Sequence, residues 1–225
     1  MHFDKALTAT LNNCRSKREW TDALKRALIR KPRFGFNTHG NVIPVSNPGG
    51  KNITIIAAMD SENGIGKDNQ IPWAISPDMQ QFKRLTTGHT VIMGRKTFES
   101  LNGKCLPDRV NIVITRDIPG FYAKYNHTDL VALPSLEDAL DATADEQIFI
   151  IGGGEIYRQA LDLNLAHDMI LTRIQHNALC DTRFPTFNER DWFPPVHSTH
   201  QLSGGLSMRY EYWRLRLLEN VPLKE

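Results

Sequence analysis

The sequence predicts an α/β protein built on a mostly parallel central sheet, with helices on both faces and an antiparallel edge at its C-terminal end. Three observations carry that expectation. From residue 53 onward, short apolar runs alternate with segments of helical period, the pattern of strand–helix–strand units. The early runs, such as ITIIAA at 53–58, are near-continuous, as parallel strands covered on both faces require. The last, MRYEYWRLRL at 208–217, alternates strictly, as a strand with one buried face does.

Taken along the chain, the first element is a basic helical extension over 1–31. Trp20, Ala23, Leu24, Ala27 and Leu28 recur at helical spacing, and Ser16 followed by Glu19 fits a capping box. A second short helix is expected around Phe3, Leu7 and Leu11. Pro32, Gly35, Gly40, Pro44, Pro48, Gly49 and Gly50 then break any period, which makes 32–51 a linker. A domain follows over 52–218, with a short tail over 219–225. Its strands are expected at 53–58, 90–93, 110–115, 129–132, 147–151, 169–174 and 208–217. Its helices are expected at 77–86, opened by Ser76 and Pro77; at 96–101; at 135–143, opened by Ser135; and at 154–162, after three glycines. Trp192, Phe193, Pro194 and Pro195 read as a packed loop.

Charge divides the chain. Up to Asn52 there are ten basic and three acidic side chains, a net +7, which leaves −5 for the rest of a chain whose total is +2. That total is too small to argue for a nucleic-acid or membrane surface; the basic extension reads first as a solvated helix of no specific role, with a docking element for a protein partner, a self-association contact or a nucleic-acid-facing patch as the alternatives. Three cysteines, Cys14, Cys105 and Cys180, have no paired spacing and read as free thiols in a reducing compartment, the cytoplasm by default. No apolar run approaches the roughly 18 residues of a membrane span, and the acidic residues of the extension count against a transit peptide. His197 and His200 lie three apart without a nearby set of carboxylate or cysteine ligands, so no metal site is expected.

Three local features carry chemistry. Asp78 sits early in a helix whose other inward positions, Met79, Phe82 and Leu85, are apolar. A carboxylate facing such a cleft has its pKa pushed upward and can donate a proton or grip a protonated heterocycle; alternatively, it only stabilises the helix N-terminus by its charge. Next, IIGGGEIY at 150–157 sets glycines between a strand and a helix, where backbone N–H groups can approach a phosphate. Such a loop is also an ordinary turn, and neither GxGxxG nor a full P-loop is present. Last, Arg95 and Lys96 follow the strand TVIMG and Arg116 follows VNIVIT, cations at one edge of a parallel sheet where ligands of open α/β folds bind. Solvated surface charge is the plainer alternative.

From about 53 to 217 these segments resemble the dihydrofolate reductases, in order and spacing. The matching stretches are IIAAMDSENGIGKDNQIPW, SPDMQQFKRLT, VIMGRKTFES, LPDRVNIVIT, IIGGGEIY, ILTRI and DTRFP. The resemblance implies that family's sheet and NADPH-dependent reduction of 7,8-dihydrofolate to tetrahydrofolate. Hydride would pass to C6 of the pterin while a proton reaches N5 through water. It makes Asp78 the acid of the pterin pocket, with Trp73 and Thr172 orienting water and that carboxylate. Ile56 and Ile151 would lie near the pterin, with Phe82 and Leu101 against the aminobenzoyl part. Arg109, assisted by Lys83, would receive the substrate's α-carboxylate, a task suited to guanidinium geometry.

On the cofactor side the resemblance gives Ala58, Ile65 and Gly66 to the nicotinamide end. Gly94, Arg95, Lys96 and Thr97 would take the phosphates, and Thr115 and Arg116 the adenosine 2'-phosphate, a cation cluster that favours NADPH over NADH. Gly152, Gly153, Gly154, Glu155, Ile156 and Tyr157 would line the pyrophosphate, with a cis peptide between the first two glycines. Residues 60–71 would form a lid contacted by Asp181. Two departures stand out: Glu155 replaces a basic residue of relatives, and LNGKCLPDR at 101–109 carries one residue more than short bacterial relatives. Too few residues follow 217 for a fused thymidylate synthase. A related pyrimidine reductase of riboflavin synthesis and a folate-binding scaffold are the competing expectations.

Overall fold

In the computed structural model, residues 35–36, 42–43, 51–125, 127–202 and 207–216 are described. The expected helices of 1–31 and the tail at 219–225 lie outside them. Within the expected linker, Gly35–Phe36 pairs antiparallel with Val42–Ile43.

Eight strands form the main sheet. In chain order they are β1 (Asn52–Met59), β3 (Thr90–Gly94), β4 (Val110–Ile114), β5 (Leu130–Leu133), β6 (Gln147–Ile150), β7 (Asp168–Ile174), β9 (Val196–Gln201) and β10 (Ser207–Arg214). Two short strands, β2 (Gly64–Gly66) and β8 (Thr182–Arg183), pair separately. The spatial order is β9-β10-β7-β1-β6-β3-β4-β5. β7, β1, β6, β3, β4 and β5 run parallel, while β10 and β9 add antiparallel at the edge. This is the expected mostly parallel sheet with an antiparallel C-terminal edge.

The parallel strands are buried almost throughout, and their side chains point alternately to the two faces, which sorts the core by face. Ile53, Ile55, Ile92, Ile112, Val131, Ile148 and Ile150 share one cluster with residues of α4 (Leu136–Ala142) and α5 (Gly154–Asp162). Their neighbours Ile56, Val91, Met93, Val113, Ala132 and Phe149 share the other with residues of α1 (Ser76–Thr86), α2 (Arg95–Ser100) and α3 (Ile118–Lys124). Helices therefore cover both faces.

The ends of the helices follow local chemistry. Ser135 caps α4 by accepting from the Asp138 N–H. Ser76 does not cap α1: it lies inside the first turn, where its hydroxyl accepts from Gln80 Nε2 at 3.1 Å, and Ile75 holds the cap position without a side-chain bond. Beyond the short pieces β2, β8 and the 3-10 turn Glu189–Asp191, one helix and one strand of the main sheet were not expected. α3 begins at IPG, which reads as a turn, but Asp117 caps it through the Gly120 N–H and proline suits the first turn. β9, VHSTHQ, lacks an apolar pattern and gains its place by pairing with β10. In the expected packed loop Trp192 is buried, whereas Phe193 is 50% exposed beneath the Arg216 guanidinium.

Behind the site, Phe98, Phe121 and Tyr125 pack as an aromatic group with ring centroids 5.1–5.5 Å apart. Gly103 closes the preceding turn at φ 64, and a Cβ there would stand 2.5 Å from Tyr125 Cε1. Gly103→Ala is expected to cost about 2–5 kcal/mol, combining left-handed backbone strain with overpacking. Urea unfolding measures it, and a loss under about 0.5 kcal/mol, the scale of a neutral surface change, would refute the packing argument.

Candidate active site

The carboxyl ends of β1, β3, β4 and β6 open into one cleft of about 1560 Å³. Its position follows from the strand order: the chain passes from β1 to β3 and leaves the place between them to β6, so the loops leaving these strands diverge around a crevice. The volume exceeds the roughly 300–1,000 Å³ that suits one drug-sized ligand. That is room for more than one such ligand.

One end is apolar with a single acid. Asp78, in the first turn of α1, faces Ile56, Ile151 and Ile170 across the cleft, and Thr172 Oγ1 of β7 donates to its Oδ1 at 2.6 Å. Burial raises the Asp78 pKa above the usual carboxylate range, and the Thr172 hydrogen bond only partly opposes it. Phe82, Lys83 and Leu101 extend this end. Beyond them Arg109, 7% exposed, donates Nη1 to Thr86 Oγ1 at 3.0 Å and Nε to the Pro107 carbonyl at 2.9 Å, with its guanidinium 5.9 Å from the Phe82 ring. These partners are neutral, and burial lowers the Arg109 pKa despite the nearby Asp108. An arriving carboxylate would relieve that desolvation.

The other end is lined by glycines and cations. The Gly152–Gly153 peptide is cis, and the Gly94 N–H donates to the Gly152 carbonyl at 2.8 Å. Crowding there admits only small residues: a Cβ at Gly94 would lie 3.1 Å from Ile156 Cγ1, and one at Gly153 would lie 3.2 Å from Thr97 Oγ1. Lys96 and Arg116 stand exposed at the rim with Arg95, which pairs with Glu99 at 2.8 Å. Ala58, Ile65, Gly66, Gly154 and Thr115 also line the cleft. Glu155 does too, and it pairs with Arg158 and accepts from Gln159 at 3.0 Å. Tyr157 lines the wall, but its one hydroxyl proton is committed to the Ile56 carbonyl at 2.7 Å.

The model for dihydrofolate reductase matches residues 52–215. The chain belongs to the dihydrofolate reductase family. It is 42% identical over 141 residues to the dihydrofolate reductase of Staphylococcus haemolyticus, covering 62% of this chain and 80% of that protein. It is 36% identical over 172 residues to a bifunctional dihydrofolate reductase-thymidylate synthase of Paramecium tetraurelia, spanning 73% of this chain and 34% of that relative's length. Among solved structures, a dihydrofolate reductase from Enterococcus faecalis complexed with NADP(H) and RAB-propyl aligns with a TM-score of 0.65 at 25% identity, over 73% of this chain and 96% of that one. Enzymes of this family reduce dihydrofolate to tetrahydrofolate with NADPH.

Within this reductase the sequence-expected site residues converge on the cleft, with two differences. Trp73 does not line it. The indole packs instead with Ile75, Ile174 and Met208, where its large apolar surface is covered, and Gln70, Ile71 and Ala74 form the wall. Met79 is 64% exposed rather than inward, although it borders the cleft mouth.

The sequence reading missed Thr86 and Pro107, which fix Arg109, and Asn111. The fully buried Asn111 amide holds the 101–109 loop through Leu106 N at 2.9 Å and Leu106 O at 2.9 Å. A lone amide inside the apolar run VNIVI was the available signal, because buried polar groups are there to be hydrogen-bonded. The expected contact between Asp181 and the 60–71 segment is present: its carboxylate accepts from the Asp68 N–H at 2.8 Å.

Proposed function

We propose that Asp78, oriented by Thr172, serves as the acid of an NADPH-dependent reduction of 7,8-dihydrofolate in this cleft. The observation that carries it is a single acid with a raised pKa in the wall of an apolar pocket, with Arg109 at one end and a glycine-and-cation loop at the other. NADPH supplies the hydride that C6 of the pterin accepts.

The residues fit such a cofactor. The glycine run at 152–154 carries no side chains of its own where it enters α5, so backbone N–H groups at that helix start can reach a pyrophosphate. Lys96 and Arg116, with Thr97 and Thr115, hold the phosphates including the 2'-phosphate, and Ala58, Ile65 and Gly66 border the nicotinamide. Glu155 adds no cation there. Asp78 grips the amidine-like edge of the pterin and holds the proton that reaches N5, while Phe82 and Leu101 cover the aminobenzoyl ring. Arg109 takes the α-carboxylate. Trp73, with Thr172, orients the water through which the proton reaches N5.

In this reading the reductase domain is 52–218, with 1–31 as its basic extension, 32–51 as the linker and 219–225 as a tail. Partly buried Cys105 and Cys180 are free thiols, which suits a reducing cytoplasm. Among the described residues no helix is long and apolar enough to cross a membrane. The +7 charge of the first 52 residues supports a protein partner or self-association there. NADPH oxidation with dihydrofolate tests the activity. Turnover with dihydrofolate is expected; turnover only with an aminopyrimidine ribosyl substrate would replace this reading with the riboflavin-pathway reductase.

A further inference from the structure

The segment that runs from the end of β1 through β2 to Asp68 carries Ile65 and Gly66 into the cleft wall, and it is tied down at three points. Asp60, 1% exposed, accepts from the N–H groups of Glu62, Gly64 and Ala178 at 2.8, 2.7 and 3.1 Å. Asp181 accepts from Asp68, and its own N–H donates to the Gly66 carbonyl at 3.0 Å. The third tie is Asn63, at φ 59. Its backbone carbonyl accepts from Phe184 at 2.7 Å, and its side-chain carbonyl accepts from Arg173 Nη1.

Arg173 follows Thr172 on β7 and therefore points from the opposite face of the sheet. Its Nε donates to Glu211 Oε2 at 3.2 Å across the β7–β10 pair. Glu211 is 4% exposed and also accepts from Arg209 Nε at 3.0 Å and Trp213 Nε1 at 3.1 Å. Burial alone would raise its pKa, but Arg173 and Arg209 hold it below the ordinary carboxylate range, so the anion is fixed. One strand thus presents the partner of the acid on one face and a grip on the loop from the other.

We propose that Arg173 is a positioning residue: anchored on Glu211, it holds Asn63 and thereby sets Ile65 and Gly66 against the nicotinamide end of the cleft. The inference rests on the functional reading above for which end that is. Asn63 is exposed, so its replacement tests the tie without disturbing the core. Asn63→Gly removes the acceptor yet suits the left-handed backbone, whereas Asn63→Asp keeps an acceptor and also tolerates that conformation.

Single-turnover reduction with NADPH and its deuterated form reads the hydride step apart from product release. Asn63→Gly is expected to slow hydride transfer about tenfold, the loss of one hydrogen bond to a charged group. It should raise KM for NADPH but not for dihydrofolate, while Asn63→Asp retains the wild-type rate. Arg173→Met should slow the step similarly, and the double variant should be no slower than either single one. Wild-type hydride transfer in Asn63→Gly, multiplying effects in the double variant, or lost thermal stability with unchanged hydride transfer in Arg173→Met would each overturn the proposal. A wild-type chain that does not oxidise NADPH with dihydrofolate would overturn the functional reading instead.

Discussion

Asp78→Asn is expected to lower turnover at neutral pH by about 10²- to 10⁴-fold, the range for removing a positioned acid or base. The amide keeps the volume of the carboxylate, and its Oδ1 can still accept from Thr172, so the loss isolates charge and proton from shape. The pH profiles should separate the two enzymes as well. In the wild type the step that needs the Asp78 proton is supported below its raised pKa and fades as pH climbs through it. In the variant no such fall remains, and residual turnover should grow toward acid because the pterin must take its proton from solution. Turnover in Asp78→Asn equal to wild type at neutral pH would remove this residue from the mechanism.

Stability should move the other way. The folded carboxyl binds its proton more tightly than the unfolded one, whose pKa is near 3.8, because burial disfavours the anion. Between that value and the raised folded pKa the native state carries more protons than the unfolded state, so its stability falls as pH rises through the window. An asparagine does not titrate. The ligand-free variant should therefore melt above the wild type at neutral pH, and the difference should vanish toward pH 3.8. The desolvated acid is a cost to folding that the chemistry requires, the usual tension between an active site and its scaffold.

What the sequence makes legible is what depends on local pattern. VIMG and QIFI announce buried parallel strands because nothing polar interrupts them, and Ser135 announces a helix start because its cap bond reaches only three residues. Asp78 was legible as an isolated acid among apolar residues. The misses lie where distant parts of the chain decide the outcome. VHSTHQ is a strand because β10 offers it partners, and Trp73 packs with Ile174 and Met208, which lie over a hundred residues on. Thr86 and Arg109 meet across 23 residues, and Arg173 meets Asn63 across 110. No periodicity encodes such meetings.

Arg109→Lys should raise KM for dihydrofolate by about 10- to 100-fold, since one charge-assisted hydrogen bond of the pair is lost at about 1.5–3 kcal/mol. Lysine keeps the charge but not the planar fork, and an ammonium cannot hold the Thr86 hydroxyl, the Pro107 carbonyl and a carboxylate in the geometry that Arg109 does. Because that carboxylate lies far from the reacting atoms, the contact binds ground state and transition state alike, so kcat should change little. A pteridine substrate without the glutamate tail makes the comparison clean: it has nothing for Arg109 to grip, and the variant should handle it as the wild type does. An equal penalty on that truncated substrate would mean the substitution acts by disturbing the Thr86–Pro107 corner, and the assignment of Arg109 to the carboxylate would fail.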